Sequence, residues 1–173
     1  ETALTISNPY HTSMEVGDIN DDGNEDIVLV TIDATFSNQY IQVYRGPDPS
    51  LAVNQQVLIV PMTSGVYTDV HLGHWGETVQ GAGIGAPIGD CDDLDLWILR
   101  SPPYNAGVGT SVGHYDNMTV LEYDCIQDQF ANPMTPTAQG VHQFKLDAEH
   151  NRPMEGMDIS DTDGDGEIDM IAV

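Results

Sequence analysis

Two stretches of this chain repeat each other, and that repeat limits the possible folds more than any other feature. Residues 14–30 read MEVGDINDDGNEDIVLV and residues 154–173 read MEGMDISDTDGDGEIDMIAV; both have a Met-Glu pair, an Asp-Ile step, an acidic loop containing glycine and a closing apolar run. Between them, APIGDCDDLDLWIL at 86–99 has the same entry and exit around a shortened loop, which makes Asp18, Asp90 and Asp158 the entry aspartates of three units. A recurring unit of this kind is one supersecondary piece that cannot bury its apolar face alone and must stack on its neighbours.

The flanks repeat as well. QYIQVY (39–44) and MTVLEY (118–123) follow loops one and two, while GVYTDVHL (65–72) and GVHQFKL (140–146) precede loops two and three. All four show the period-two alternation of half-buried strands. The segments between them, RGPDPS, RSPPYNAG and ANPMTPTAQG, carry the Pro and Gly of strand-joining turns. Each unit therefore reads strand, acidic loop, strand, strand, strand. The predicted fold is all-β, an open-ended stack of about two and a half four-stranded antiparallel blades. It forms a single repeat region over 1–173, with units near 1–60, 61–135 and 136–173, the last incomplete.

In loop one, Asp18, Asn20, Asp22 and Asp26 hold positions 1, 3, 5 and 9, Gly23 holds position 6, and Asn24 at position 7 offers its backbone carbonyl. In loop three the same places fall to Asp161, Asp163, Asp165 and Asp169, with Gly166 at position 6 and Glu167 at position 7. Alternate oxygens on a curled backbone, with glycine at the tight turn, converge on one centre, and an all-oxygen carboxylate-rich set suits calcium better than magnesium. Two carboxylates ~5 Å apart repel by roughly 3 kcal/mol at an effective dielectric of about 20, so a bound cation is what allows such a loop to close. Two structural calcium sites are expected; a solvated acidic turn is the competing reading.

An EF-hand needs an acidic residue at position 12 and flanking helices. Position 12 is Leu29 or Ala172, followed by β-favouring runs, so that reading fails. Loop two, from Asp90 to Asp95, has Leu94 where an oxygen is wanted and carries no calcium expectation. Cys91 lies inside it and Cys125 follows the third strand of the same unit, which predicts a Cys91–Cys125 disulfide in place of the ion, against the alternative of two free thiols.

Charge narrows the function classes. Against 28 acidic residues stand four basic ones, for a formal net charge of -24, a surface that repels nucleic acid and anionic membranes. No apolar run reaches the ~18 residues that a spanning helix needs. Asn117-Met118-Thr119 is a glycosylation sequon. A first residue other than Met fits a processed chain, and with the sequon and the cysteines it favours an extracellular or cell-surface location.

GDINDDGNEDIVLV and DTDGDGEIDMIAV resemble the FG-GAP and VCBS-type calcium-binding repeats of the integrin alpha-chain β-propeller, which also occur in many secreted proteins. The resemblance spans nearly the whole chain as repeats, but its specific part is the loops with the strand after them; loops one and three match, and loop two is degenerate. It implies loops that bind calcium structurally between strands of a blade, in propellers used for adhesion or for carbohydrate or protein binding.

Enzymatic signatures are weak. His71, His74 and Glu77 form the only transition-metal-like cluster, and i and i+3 on a strand face opposite ways. Asp92, Asp93 and Asp95 suit an acid-base pair without a readable pocket, and Trp97 reads as core. The expected function is a non-enzymatic, calcium-binding structural or adhesion protein. It assembles head to tail into a surface fibre, the strand ETALTIS of one copy pairing with the open last blade of the next. The alternative is a segment of a larger propeller that binds carbohydrate or protein, or that scaffolds a polysaccharide lyase or hydrolase.

Overall fold

The computed structural model describes residues 10–49, 51, 54–62, 66–74, 94–101, 116–134, 140–146, 156–163, 168 and 170–172. Twelve strands order them: β1 (Tyr10–Gly17), β2 (Asp26–Ile32), β3 (Asn38–Tyr44), β4 (Gln55–Pro61), β5 (Val66–Gly73), β6 (Asp95–Ser101), β7 (Asp116–Leu121), β8 (Tyr123–Asp124), β9 (Gln129–Phe130), β10 (Val141–Leu146), β11 (Asp158–Ser160) and β12 (Met170–Ala172). The fold is all-β and antiparallel, with neither a helix nor a closed barrel among the described residues.

β1 to β4 form one meandering sheet in chain order, and β5, β6, β7 and β10 form a second; β8–β9 and β11–β12 are two-stranded pairs. β2, DIVLVTI, is a nearly unbroken β-branched run in the middle of its sheet, and every residue of it but Ile27 is buried. The β2–β3 turn is closed by Asp33, whose carboxylate accepts the amides of Thr35 at 3.0 Å and Ser37 at 2.9 Å and lets Phe36 take a left-handed φ of 54°.

The core lies between sheets. Val28, Val30, Ile41 and Val43 point from the first sheet onto Val70, Leu96, Ile98 and Leu121 of the second. The opposite face of the second sheet, Trp97, Leu99, Met118 and Val120, packs on Met157 with Ile159 and Ile168. Each fully buried aliphatic of these layers is worth roughly 1.5–3 kcal/mol relative to exposure. Two glutamines tie the sheets through backbone. Gln39, fully buried, donates to Tyr67 O at 3.0 Å and accepts from Tyr67 N at 2.7 Å, and Gln56 does the same with Phe130, both at 2.8 Å. The first strands of the three units also meet: Asp69 on β5 accepts from Ser13 Oγ of β1 at 2.8 Å and from Met157 N, just ahead of β11, at 2.8 Å.

Several expectations shift. GVHQFKL, read as the entry to loop three, is β10 and pairs with β7 in the second sheet, so the strand leading into loop three is β11. MTVLEY ends β7 at Leu121 and then starts the small β8–β9 hairpin. Loop two is longer than Asp90–Asp95. Gly73 pairs with Asp95 as Gly17 pairs with Asp26, so the connection matching loop one runs over 74–94 and His74, not Asp90, follows the entry strand. The strand ahead of loop one is β1; Glu1 to Ser7, Asp90 and Cys91 lie outside the described residues.

Candidate metal centre

Loop one joins β1 to β2 and is described in full. Asp18 Oδ1 accepts from Asp22 N at 3.0 Å and its Oδ2 from Gly23 N at 2.8 Å, so the first carboxylate gathers the turn beneath it. Asp22 Oδ1 accepts both the backbone N and the Nδ2 of Asn24, each at 2.8 Å, and those bonds hold its pKa below the ordinary 3.8. Asp21 at φ 51° and Gly23 at φ 84° are the left-handed turns that curl the loop.

Asp26 differs in kind. It is fully buried at the start of β2, its Oδ2 accepting Ile19 N at 3.0 Å and its Oδ1 accepting Gly46 N at 2.8 Å. Burial pushes its pKa up, against the lowering effect of those two amides and of Arg45. Arg45 is itself buried, with Nε 3.2 Å from Asp128 and its guanidinium 5.5 Å from the centre of the Tyr123 ring. Asn20 Oδ1 is buried in the same loop without a hydrogen-bond donor. A buried acceptor left unmatched costs about 1–3 kcal/mol, and a cation coordinated there removes that cost.

Asp18, Asn20, Asp22 and Asp26 thus share one loop, with Asn24 folded against Asp22. Both oxygens of Asp18 and of Asp26 accept backbone amides, Asp22 Oδ1 accepts the two Asn24 nitrogens and Asn20 Oδ1 accepts none; no group of three or more His, Cys, Asp or Glu side chains among the described residues is arranged to hold a metal. In loop three, Asp161 and Asp163 are exposed, while Asp165, Glu167 and Asp169 lie outside the described residues.

In the second sheet the counterpart of Asp26 is Asp95, 8% exposed at the start of β6, whose Oδ1 accepts Tyr123 N at 3.0 Å. Gly46 and Tyr123 each stand two residues beyond the partners of Ile27 and Leu96, namely Tyr44 and Leu121. The aspartate that opens the second strand therefore clamps the end of the third strand in both sheets, which accounts for Asp95 as a structural group. Asp92 and Asp93 lie outside the described residues.

The imidazole of His71 spans between strands: Nε2 is 2.6 Å from Met157 O, and Nδ1 is 3.6 Å from Glu15 Oε2. The ring thus bonds the residue ahead of β11 and faces Glu15 of β1; Glu77 lies outside the described residues. Cys125 is disulfide-bonded. Asn117 sits within β7, in register between Arg100 and Lys145 and not in a loop. Sequence reasoning missed Gln39, Gln56 and Asp69; the signal available was a polar residue at an inward place in an otherwise apolar alternation. Comparison with protein-family models, curated proteins and solved structures finds no match to this chain.

Proposed function

We propose that this chain is a non-enzymatic, calcium-stabilised structural module built from FG-GAP/VCBS-type blades, located outside the cell and assembling with further copies of itself head to tail. The observation that carries the calcium reading is loop one. Its Asp18 and Asp22 carboxylates stand on one curled loop, Asp26 opens the strand that follows, and a buried, donorless amide oxygen from Asn20 stands at position 3. Calcium would be held there by Asp18, Asn20, Asp22, Asp26 and the Asn24 carbonyl, and in loop three by Asp161, Asp163, Asp165, Asp169 and the Glu167 carbonyl. The ion would neutralise carboxylate repulsion and lock β1 to β2 at the end where Asp26 also reaches Gly46. A disulfide-bonded Cys125 supports an oxidising, extracellular location.

Calorimetric titration of the chelator-stripped chain with calcium tests the reading. Two sites are expected, and Asp22→Ala should remove one of them while leaving the other. Absence of any calcium binding, or binding that Asp22→Ala and Asp163→Ala both leave intact, would refute it.

A further inference from the structure

The sheets stack in one sense, and the repeat gives an internal standard for how covered each position should be. Counting back from the paired ends Gly17, Gly73 and Ser160, the residues Met14, Val70 and Met157 are equivalent. Val70 is 0% exposed and Met157 5%, each covered by the sheet before it, whereas Met14 is 59% exposed. Val16 at 44% repeats the contrast, because its counterparts Leu72 and Ile159 are packed against the two cores.

Register carries the same face across to β4. Met14 pairs with Leu29, Leu29 with Gln42 and Gln42 with Val57, which is 48% exposed beside Ile59 at 55%. Two exposed apolar ridges, on β1 and β4, therefore flank Leu29 and Tyr44, each 4% exposed. No strand residue that the register places on this face is acidic, in a chain of net charge -24. Copies that repel one another over the rest of their surface can approach here without bringing carboxylates together.

We infer that this outer face of the first sheet is a contact surface for a second copy of the chain, which covers it with a sheet as the first sheet covers the Val70 face of the second. Continuity with the two internal sheet interfaces selects the occupant: the same half-interface is filled by a sheet of this construction both times it recurs. Four strands ~4.8 Å apart and seven residues of ~3.3 Å give a footprint near 440 Å², at the weak, concentration-dependent end of specific interfaces. The inference rests on the self-assembly part of the proposed function and is independent of its calcium part.

Sedimentation velocity of the full chain over a concentration series, in calcium and in chelator, tests it. Self-association is expected, and Met14→Gln and Ile59→Gln, which leave the net charge unchanged, should each weaken it by roughly tenfold. Ile126→Gln, at a residue 87% exposed on the β8–β9 turn, should leave it unchanged. Higher ionic strength should strengthen the association by screening like-charged copies. A chain that stays monomeric at every concentration overturns the inference, as does assembly that Met14→Gln and Ile59→Gln leave intact. Calcium titration of the same samples separates this failure from failure of the calcium reading, and their circular dichroism confirms that the variants fold.

Discussion

Replacing Asp26 by alanine separates what this carboxylate does for the fold from what it does for an ion. The side chain is fully buried and accepts two backbone amides, Ile19 N at 3.0 Å and Gly46 N at 2.8 Å. Ile19 belongs to the core between the sheets, so water does not replace the lost acceptor. Each buried donor deprived of its partner costs about 1–3 kcal/mol. Removing a carboxylate whose charge is already penalised by burial returns part of that, leaving a net loss of ~2–5 kcal/mol without calcium. For a chain of this length ~1 kcal/mol moves Tm by roughly 2–4 °C, so Asp26→Ala should melt about 4–20 °C below the parent in chelator. Asp22→Ala is the control. Asp22 is exposed and bonds only within its loop, so in chelator it should shift Tm little, yet it should abolish the calcium response of loop one. Scanning calorimetry in chelator decides the matter. Asp26→Ala melting within 2 °C of the parent, on the scale of ~1 kcal/mol or less, would show that the clamp contributes nothing and that Asp26 is not the anchor of the β2 entry.

Further outcomes follow from the same geometry. A hundredfold excess of calcium over Kd should stabilise the chain by ~3 kcal/mol per site, and a melt unchanged between calcium and chelator contradicts structural calcium. In chelator, the raised pKa of Asp26 means that the folded state takes up its proton at a higher pH than the unfolded state. This contribution is fully present below the ordinary 3.8 and is lost as pH rises through the folded pKa, so acidification from neutral pH should raise Tm more in the parent than in Asp26→Asn; equal slopes refute the assignment. Gln56→Leu removes both bonds to Phe130 and should cost about 1–3 kcal/mol by denaturant titration, with no change in calcium binding. Thiol labelling of the denatured, unreduced chain should find no reactive cysteine, since Cys125 is bridged and Cys91 is the one other cysteine; two reactive thiols per chain contradict the pairing.

The local pattern was sufficient for everything that depends on near neighbours in the chain. Alternation placed β3, β5, β7 and β10 in strands, the runs closing loops one and two placed β2 and β6, and the spacing of Asp18, Asn20, Asp22 and Asp26 identified the loop that curls between β1 and β2. These follow from a two-residue side-chain period and from short Asx bonds, both written within a few residues.

Partnership between strands was decided elsewhere. GVHQFKL has the same alternation whether it opens a third unit or closes the second, and the pairing of Val141–Leu146 with Asp116–Leu121 chose the second. Loop two looked short because Asp90 resembles Asp18, whereas the register of Gly73 with Asp95 makes it run over 74–94. Asp26 and Asp95 each read as loop acids, yet both are buried clamps on the end of a third strand, a role set by a contact 20 or more residues away. Gln39 and Gln56 bond to backbone groups of another sheet, and Asp69 to Ser13 Oγ of β1 and the Met157 amide ahead of β11, and no sequence period encodes that. Side-chain alternation states only that a residue faces inward; which sheet it meets there depends on stacking, a property of the assembled layers and not of any one strand.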